Sequence, residues 1–183
     1  MQQINESNWP KKLTHFEGNF KSIAQSHTKP NAILRAWLLN QSSLTTKLQN
    51  HFGDFQVEVV SECWINNSQA KQFFRQALKN KQFKIDRLWC RKVNLKCNGN
   101  IVVRAHTLVP LQTFHNQTRR IGKLQNKSLG HFLFTHKHIQ RQPITILNVE
   151  KSHWARQSIF NIYGYPLLVT EFFEPDFLNK NQK

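Results

Sequence analysis

The stretch Leu88–Pro110, LWCRKVNLKCNGNIVVRAHTLVP, decides how the chain folds. Asn98-Gly99 separates two runs of alternating apolar and polar residues. Both turn residues tolerate positive φ, so the pair predicts a two-residue hairpin joining strands Leu88–Cys97 and Ile101–Val109. Pro110 closes the second strand. Within the first strand Trp89, Arg91, Val93, Leu95 and Cys97 share a face, and all but Arg91 are apolar. Arg91 therefore stands where a core residue belongs. Counting across a two-residue turn sets Leu95 opposite Val102, Val93 opposite Arg104 and Arg91 opposite His106. That register predicts a cluster of cations on the inward face.

A second hairpin is predicted around Tyr163-Gly164, between Ser158–Ile162 and Leu167–Phe173. In LLVTEFF, Leu167, Val169, Glu171 and Phe173 share one face, which places a carboxylate among large hydrophobes. A two-residue loop puts Glu171 opposite Arg156, while Pro166 is the residue that would lengthen it. A lone ion on such a face is costly unless it is paired, protonated or used. The plain reading makes Arg91 and Glu171 buried salt-bridge partners. Two separate hairpins each carrying a charge inward also match the two polar ends of a pocket for a small charged ligand.

Outward from these hairpins the early chain reads as helical. Residues 1–30 are a weakly patterned lead-in up to Pro30. Ala32–Asn40 reads as a short helix with Ile33, Leu34, Trp37 and Leu38 on one stripe. Ser43 caps a second helix in which Leu44, Leu48 and Phe52 recur every four residues, and Gly53 ends it. The period becomes two over Phe55–Ile65, a strand, and Ser68–Lys79 returns to helix. Phe114–Leu129 reads as a basic loop, Leu129–Phe134 as a short apolar segment and Ile144–Val149 as a strand. No repeat, low-complexity tract or linker interrupts the chain. Helices early and antiparallel strands late predict one α+β domain over residues 1–183, with a frayed tail at 176–183.

Charge and cysteine content exclude several classes. The 26 Lys and Arg against 10 Asp and Glu give a formal charge of +16, which attracts polyanions or suits a small-anion site. The cations are scattered rather than gathered in a run, so the charge reads chiefly as a solubilising surface and no nucleic-acid partner is expected. Cys63, Cys90 and Cys97 are an odd set without a CxxC pair, which argues against disulfides and structural zinc. His131, His136 and His138 lack metalloprotease spacing, so no metal is expected. The N-terminus has no apolar signal region, and nothing approaches the roughly 20 apolar residues that span a bilayer. The expected location is the cytoplasm, at most peripheral to a membrane.

At these residues the sequence resembles the chorismate lyase family. WLLNQSSLTTKL (Trp37–Leu48), WCRKVNLKCNG (Trp89–Gly99), AHTLVPL (Ala105–Leu111), KSLGHFLF (Lys127–Phe134), WARQSIF (Trp154–Phe160) and GYPLLVTEFFEP (Gly164–Pro175) carry the likeness in order and spacing. The resemblance implies a monomer on a six-stranded antiparallel sheet covered by helices on one side, with an enclosed site under helical flaps. It implies conversion of chorismate to pyruvate and 4-hydroxybenzoate, the first committed step of ubiquinone biosynthesis, without metal or cofactor. On this likeness Arg91 holds the ring carboxylate, the backbone amides of Leu44 and Leu129 assist it, and Glu171 bonds the ring hydroxyl. His106, Arg104 or Arg156 receives the enolpyruvyl carboxylate. His106 stands where relatives commonly have Arg, and Gln157 where they have a second Arg. The rival readings are a non-catalytic effector-binding domain of related fold and a nucleic-acid-binding protein.

Overall fold

The computed structural model describes residues 21–22, 26, 28–80, 82–117, 120–135, 138–150 and 153–178. Most of the lead-in, His136 and the last five residues lie outside the described residues. In chain order come β1 (Lys21–Ser22), α1 (Ala32–Leu38), α2 (Leu44–Phe52), β2 (Phe55–Ile65), α3 (Ser68–Leu78), β3 (Leu88–Cys97) and β4 (Asn100–Pro110). Then follow α4 (Leu111–Gln117), a 3-10 turn (Ile121–Lys123), α5 (Leu129–Thr135), β5 (Ile139–Arg141), β6 (Thr145–Glu150), β7 (His153–Ile162) and β8 (Tyr165–Phe173). No described helix is long and apolar enough to cross a membrane.

The local chemistry explains the helix boundaries. Asn31, Ser43 and Asn67 each accept a hydrogen bond from the third backbone N–H beyond them, which satisfies a donor the first turn leaves free. At the other end of α2, Gly53 takes a φ of 84°. Asn98-Gly99 and Tyr163-Gly164 both adopt positive φ at both positions, so each hairpin turns in two residues and follows the twist of its strands.

All strands are antiparallel, in the order β1-β6-β7-β8-β4-β3-β2, with β5 also paired to β7. The α+β architecture agrees with the sequence reading, although the sheet is larger than six strands. Its two additions, β1 and β5, are three residues long or less, too short for a period of two to register. The β7–β8 register follows simple counting, with Arg156 opposite Glu171.

The β3–β4 register does not. Pairing shifts between Leu95 and Lys96, which face Val103 and Ile101, so Val102 is an extra residue. One inserted residue turns every later side chain of the strand to the other face. Arg91 consequently lies opposite Thr107, and Val93 opposite Ala105. Arg104 and His106 leave the inward face, and the expected cation cluster does not form there. A matching irregularity in β2 makes Val60 the extra residue and brings Glu62 opposite Arg91.

Both faces of the sheet are covered. On one, Trp37, Leu38, Leu44 and Leu48 of α1 and α2 pack with Val93, Leu95 and Ala105, while Leu133 of α5 packs with Trp89, Phe160 and Val169. On the reverse, Ala70, Phe73 and Phe74 of α3 pack against Cys90, Leu108, Ile159 and Leu168. The helices therefore do not all lie on one side, because α3 buries its apolar stripe on the opposite face. Within α1 the stripe is narrower than expected: Trp37 and Leu38 are buried but Ile33 is 63% exposed.

The stretch expected to be loop at 114–129 includes most of α4, whose Phe114 ring meets Trp89 and Trp64. Just past Glu174, the described residues Pro175–Leu178 form a turn that packs back onto the domain. Phe177 is fully buried against the rings of Trp37, Phe173 and Phe52, an apolar anchor that its polar surroundings in the sequence hide. Phe177→Ala should therefore cost about 3–5 kcal/mol of stability, read as a lower urea midpoint. An unchanged midpoint would show that this residue carries no packing energy.

Candidate active site

Between the sheet and α2 and α5 lies a cavity of about 50 Å³, room for roughly four water molecules. Its walls are mostly apolar, including Val57, Val93, Leu133 and Phe160. Its charged groups are few: Arg91 of β3, Arg141 of β5, Arg156 of β7 and Glu171 of β8. The two hairpins singled out in the sequence thus meet in one enclosed space, with Arg91 and Glu171 both lining it.

Arg91 is almost wholly buried and each of its described partners fixes the guanidinium. It donates to the Glu62 carboxylate, to the Gln125 carbonyl at 2.7 Å and to the Lys127 carbonyl at 3.2 Å. Burial pulls its pKa down and the adjacent Glu62 opposes that pull, so the cation is kept by its partner. Arg91 and Glu171 are therefore not each other's salt bridge. Glu171 instead accepts from Nε of Arg156 at 2.5 Å, and Arg156 also donates to the Asn40 carbonyl at 2.9 Å.

Leu44 and Leu129 are the first residues of α2 and α5 and both line the cavity. First-turn N–H groups have no acceptor within their own helix, so the fold leaves two backbone donors at this wall. The helices meet closely where Thr45 and Ser128 share a 2.5 Å hydroxyl contact. Gly130 makes that approach feasible, because a Cβ there would sit 3.1 Å from Oγ1 of Thr45 and 3.3 Å from Oγ of Ser128.

His106, expected in the site, is a correction. It lies on the reverse face, fully buried, with Nε2 2.9 Å from Sγ of Cys90. Arg104 likewise points away from the cavity and pairs with Glu174 at 2.7 Å. Both were misplaced by the bulge at Val102. Two residues escaped the sequence reading altogether. Glu62 follows the bulge at Val60 and so sits on the face that alternation denies it. Arg141 lies in a three-residue strand without a readable period. Among the described residues, no group of His, Cys, Asp and Glu side chains is arranged to hold a metal ion.

An enclosed, apolar-walled cavity with fixed ions on its walls makes this α+β domain a small-molecule binding protein in form. Comparison with known proteins supplies the class of chemistry. The chorismate lyase family model matches residues 22–183. A Nitrosomonas eutropha protein named probable chorismate pyruvate-lyase is 33% identical over 163 residues, covering 78% of this chain and 86% of that protein. A Serratia proteamaculans chorismate pyruvate-lyase is 27% identical over 153 residues and 84% of each chain. The chain belongs to the chorismate lyase family, and is a carbon–oxygen lyase.

The reverse-face histidine makes stability sensitive to pH. Burial, and secondarily the Lys92 ammonium, push His106 down to about 3 from an ordinary 6.5. The unfolded chain then binds a proton at a pH where the folded protein does not, so stability rises with pH between those values. The contribution is complete above about pH 6.5 and is lost as pH falls toward 3. Urea midpoints should drop between pH 7.5 and pH 5, and His106→Gln should shrink that drop. An equal drop in the variant would remove His106 as its source.

Proposed function

We propose that the chain eliminates pyruvate from chorismate to leave 4-hydroxybenzoate, supplying the aromatic ring of ubiquinone. The observation that carries this reading is that Arg91 and Glu171, borne by different hairpins, line the same enclosed cavity. Chorismate has a carboxylate on its ring, an enolpyruvyl ether on one carbon and a hydroxyl on the next. The bond between ring carbon and ether oxygen breaks, and its electron pair leaves with the oxygen. The hydrogen on the hydroxyl-bearing carbon passes as a proton to the departing enolpyruvate to give pyruvate, and the ring becomes aromatic. That gain drives the reaction, and neither a nucleophile nor a redox group is required. What remains for the protein is to hold one conformer in a dry pocket and to stabilise the charge leaving with the ether oxygen.

Each residue suits one part of that task. A guanidinium attracts a carboxylate by charge and by hydrogen bonding, which fits Arg91 to the ring carboxylate. Its contacts to Glu62 and two backbone carbonyls support the plane in which the substrate is received. Leu44 and Leu129 offer backbone N–H donors beside it. Glu171, oriented by Arg156, accepts a hydrogen bond from the ring hydroxyl and so aims the neighbouring hydrogen. The reading includes a chain that acts as a monomer on a metabolite of the cytoplasm.

Purified protein given chorismate should release pyruvate and 4-hydroxybenzoate in equal amounts. Salicylate or prephenate instead would redirect the assignment. Removing one partner of a buried charged contact costs on the order of 2–5 kcal/mol. Arg91→Ala should therefore lower kcat/KM by about 30-fold or more, and Glu171→Gln should lower it by a substantial part of that. Near-normal kinetics in a folded Arg91→Ala protein would eliminate the anchor.

A further inference from the structure

Arg141 is the charge in the cavity that the proposed reaction has not yet used. It reaches the wall from β5 and is held on several sides. Nε and Nη2 donate to the Ser158 hydroxyl at 3.0 and 2.7 Å, and Nη1 donates to the Asn40 and Gln41 carbonyls at 3.3 Å each. Its guanidinium also lies 5.3 Å from the Phe160 ring centroid and 5.9 Å from that of Phe134. Every one of these partners is neutral. Among the described residues, no carboxylate lies within ion-pair distance of Arg141, whereas Arg91 has Glu62 and Arg156 has Glu171.

The charge count at that end of the cavity is therefore uneven. Arg141 and Arg156 contribute two positive charges and Glu171 one negative charge, which leaves one positive charge over. Burial, and secondarily Arg156, pull Arg141 down to about 10, with Glu171 opposing. It remains a cation at neutral pH, and a half-buried cation whose partners are all neutral is stabilised when an anion joins it.

We infer that Arg141 receives the second carboxylate of the substrate, the one carried by the enolpyruvyl group. The inference rests on the proposed reaction and extends it to substrate selectivity. Geometry supplies the reason. The ether stands on the ring carbon next to the one bearing the hydroxyl, so its carboxylate falls within a few bonds of Glu171. The cations near Glu171 are Arg156 and Arg141, and Arg156 is already neutralised by that carboxylate at 2.5 Å. Arg141 thus distinguishes a dianion from the monoanionic aromatic product. It also draws electron density from the departing ether oxygen through the attached carboxylate. Once pyruvate has left, the site returns to its uneven charge.

The alternative role for Arg141 is mechanical, tying the turn between α1 and α2 to the sheet through Asn40 and Gln41. The two roles differ in what a substitution does to a ligand lacking the second carboxylate. Arg141→Gln should lower kcat/KM for chorismate by about 100-fold. It should change the Kd of 4-hydroxybenzoate, titrated by calorimetry, by less than about threefold. Arg141→Lys, which keeps the charge but not the bonds to Ser158, Asn40 and Gln41, should recover part of the lost rate. A parallel loss of 4-hydroxybenzoate affinity and of turnover would overturn the assignment in favour of the mechanical role. Unchanged turnover in an active wild-type background would overturn this role alone. Wild-type protein that binds 4-hydroxybenzoate but leaves chorismate intact would overturn the proposed reaction as well.

Discussion

A strand with one residue too many reverses the facing of everything beyond it, and the cavity depends on two such strands. Val102 in β4 and Val60 in β2 are the extra residues. The first clears Arg104 and His106 from the inward face and puts small Ala105 and Thr107 beside the β3 side chains there. The second brings Glu62 onto Arg91. Without both shifts Arg104 and His106 would share the inward face with Arg91, and Glu62 would not lie across from it. A bulge disrupts the ladder locally, and here it sorts charges between two sides of a sheet.

Charge placement then governs how the cavity is closed. Burying an ion is tolerable when its partners fill its hydrogen-bonding positions. Arg91 uses carbonyls of the segment before α5, at Gln125 and Lys127. Arg156 and Arg141 both use the carbonyl of Asn40, between α1 and α2. The cations on the cavity wall are thus also what fasten the two covering segments to the sheet. The apolar contacts of α2 and α5 provide the bulk of the cover, and the guanidinium bonds fix where it sits.

The reverse face shows the cost of the same register shift. His106 and Cys90 are polar groups pressed together under α3, with Lys92 close enough to disfavour protonation of the ring. The neutral imidazole fits that environment and the imidazolium does not. His106, which simple counting along the strand placed inward, has here become part of the packing on the other face. Position in a motif is no guarantee of which side of a strand a side chain takes.

Period-two alternation, two turn dipeptides with positive φ and three side-chain caps are properties of a few adjacent residues, and these the sequence by itself determined. They establish the hairpins, most helix boundaries, the α+β class, the Arg156–Glu171 pairing and the inward facing of Arg91 and Glu171. The tertiary structure alone decided the rest, because it turns on what lies across from a residue in space. A bulge is set by a partner strand, so Glu62 entered and His106 left the inward face without any local sign. Arg141 gained its place through contacts to Ser158, Asn40 and Gln41, residues 17 to 101 positions away. Phe177 became core only because Trp37, Phe52 and Phe173 had already assembled a site for it. Short-range chemistry writes the elements, and long-range packing chooses which of their charges share one cavity.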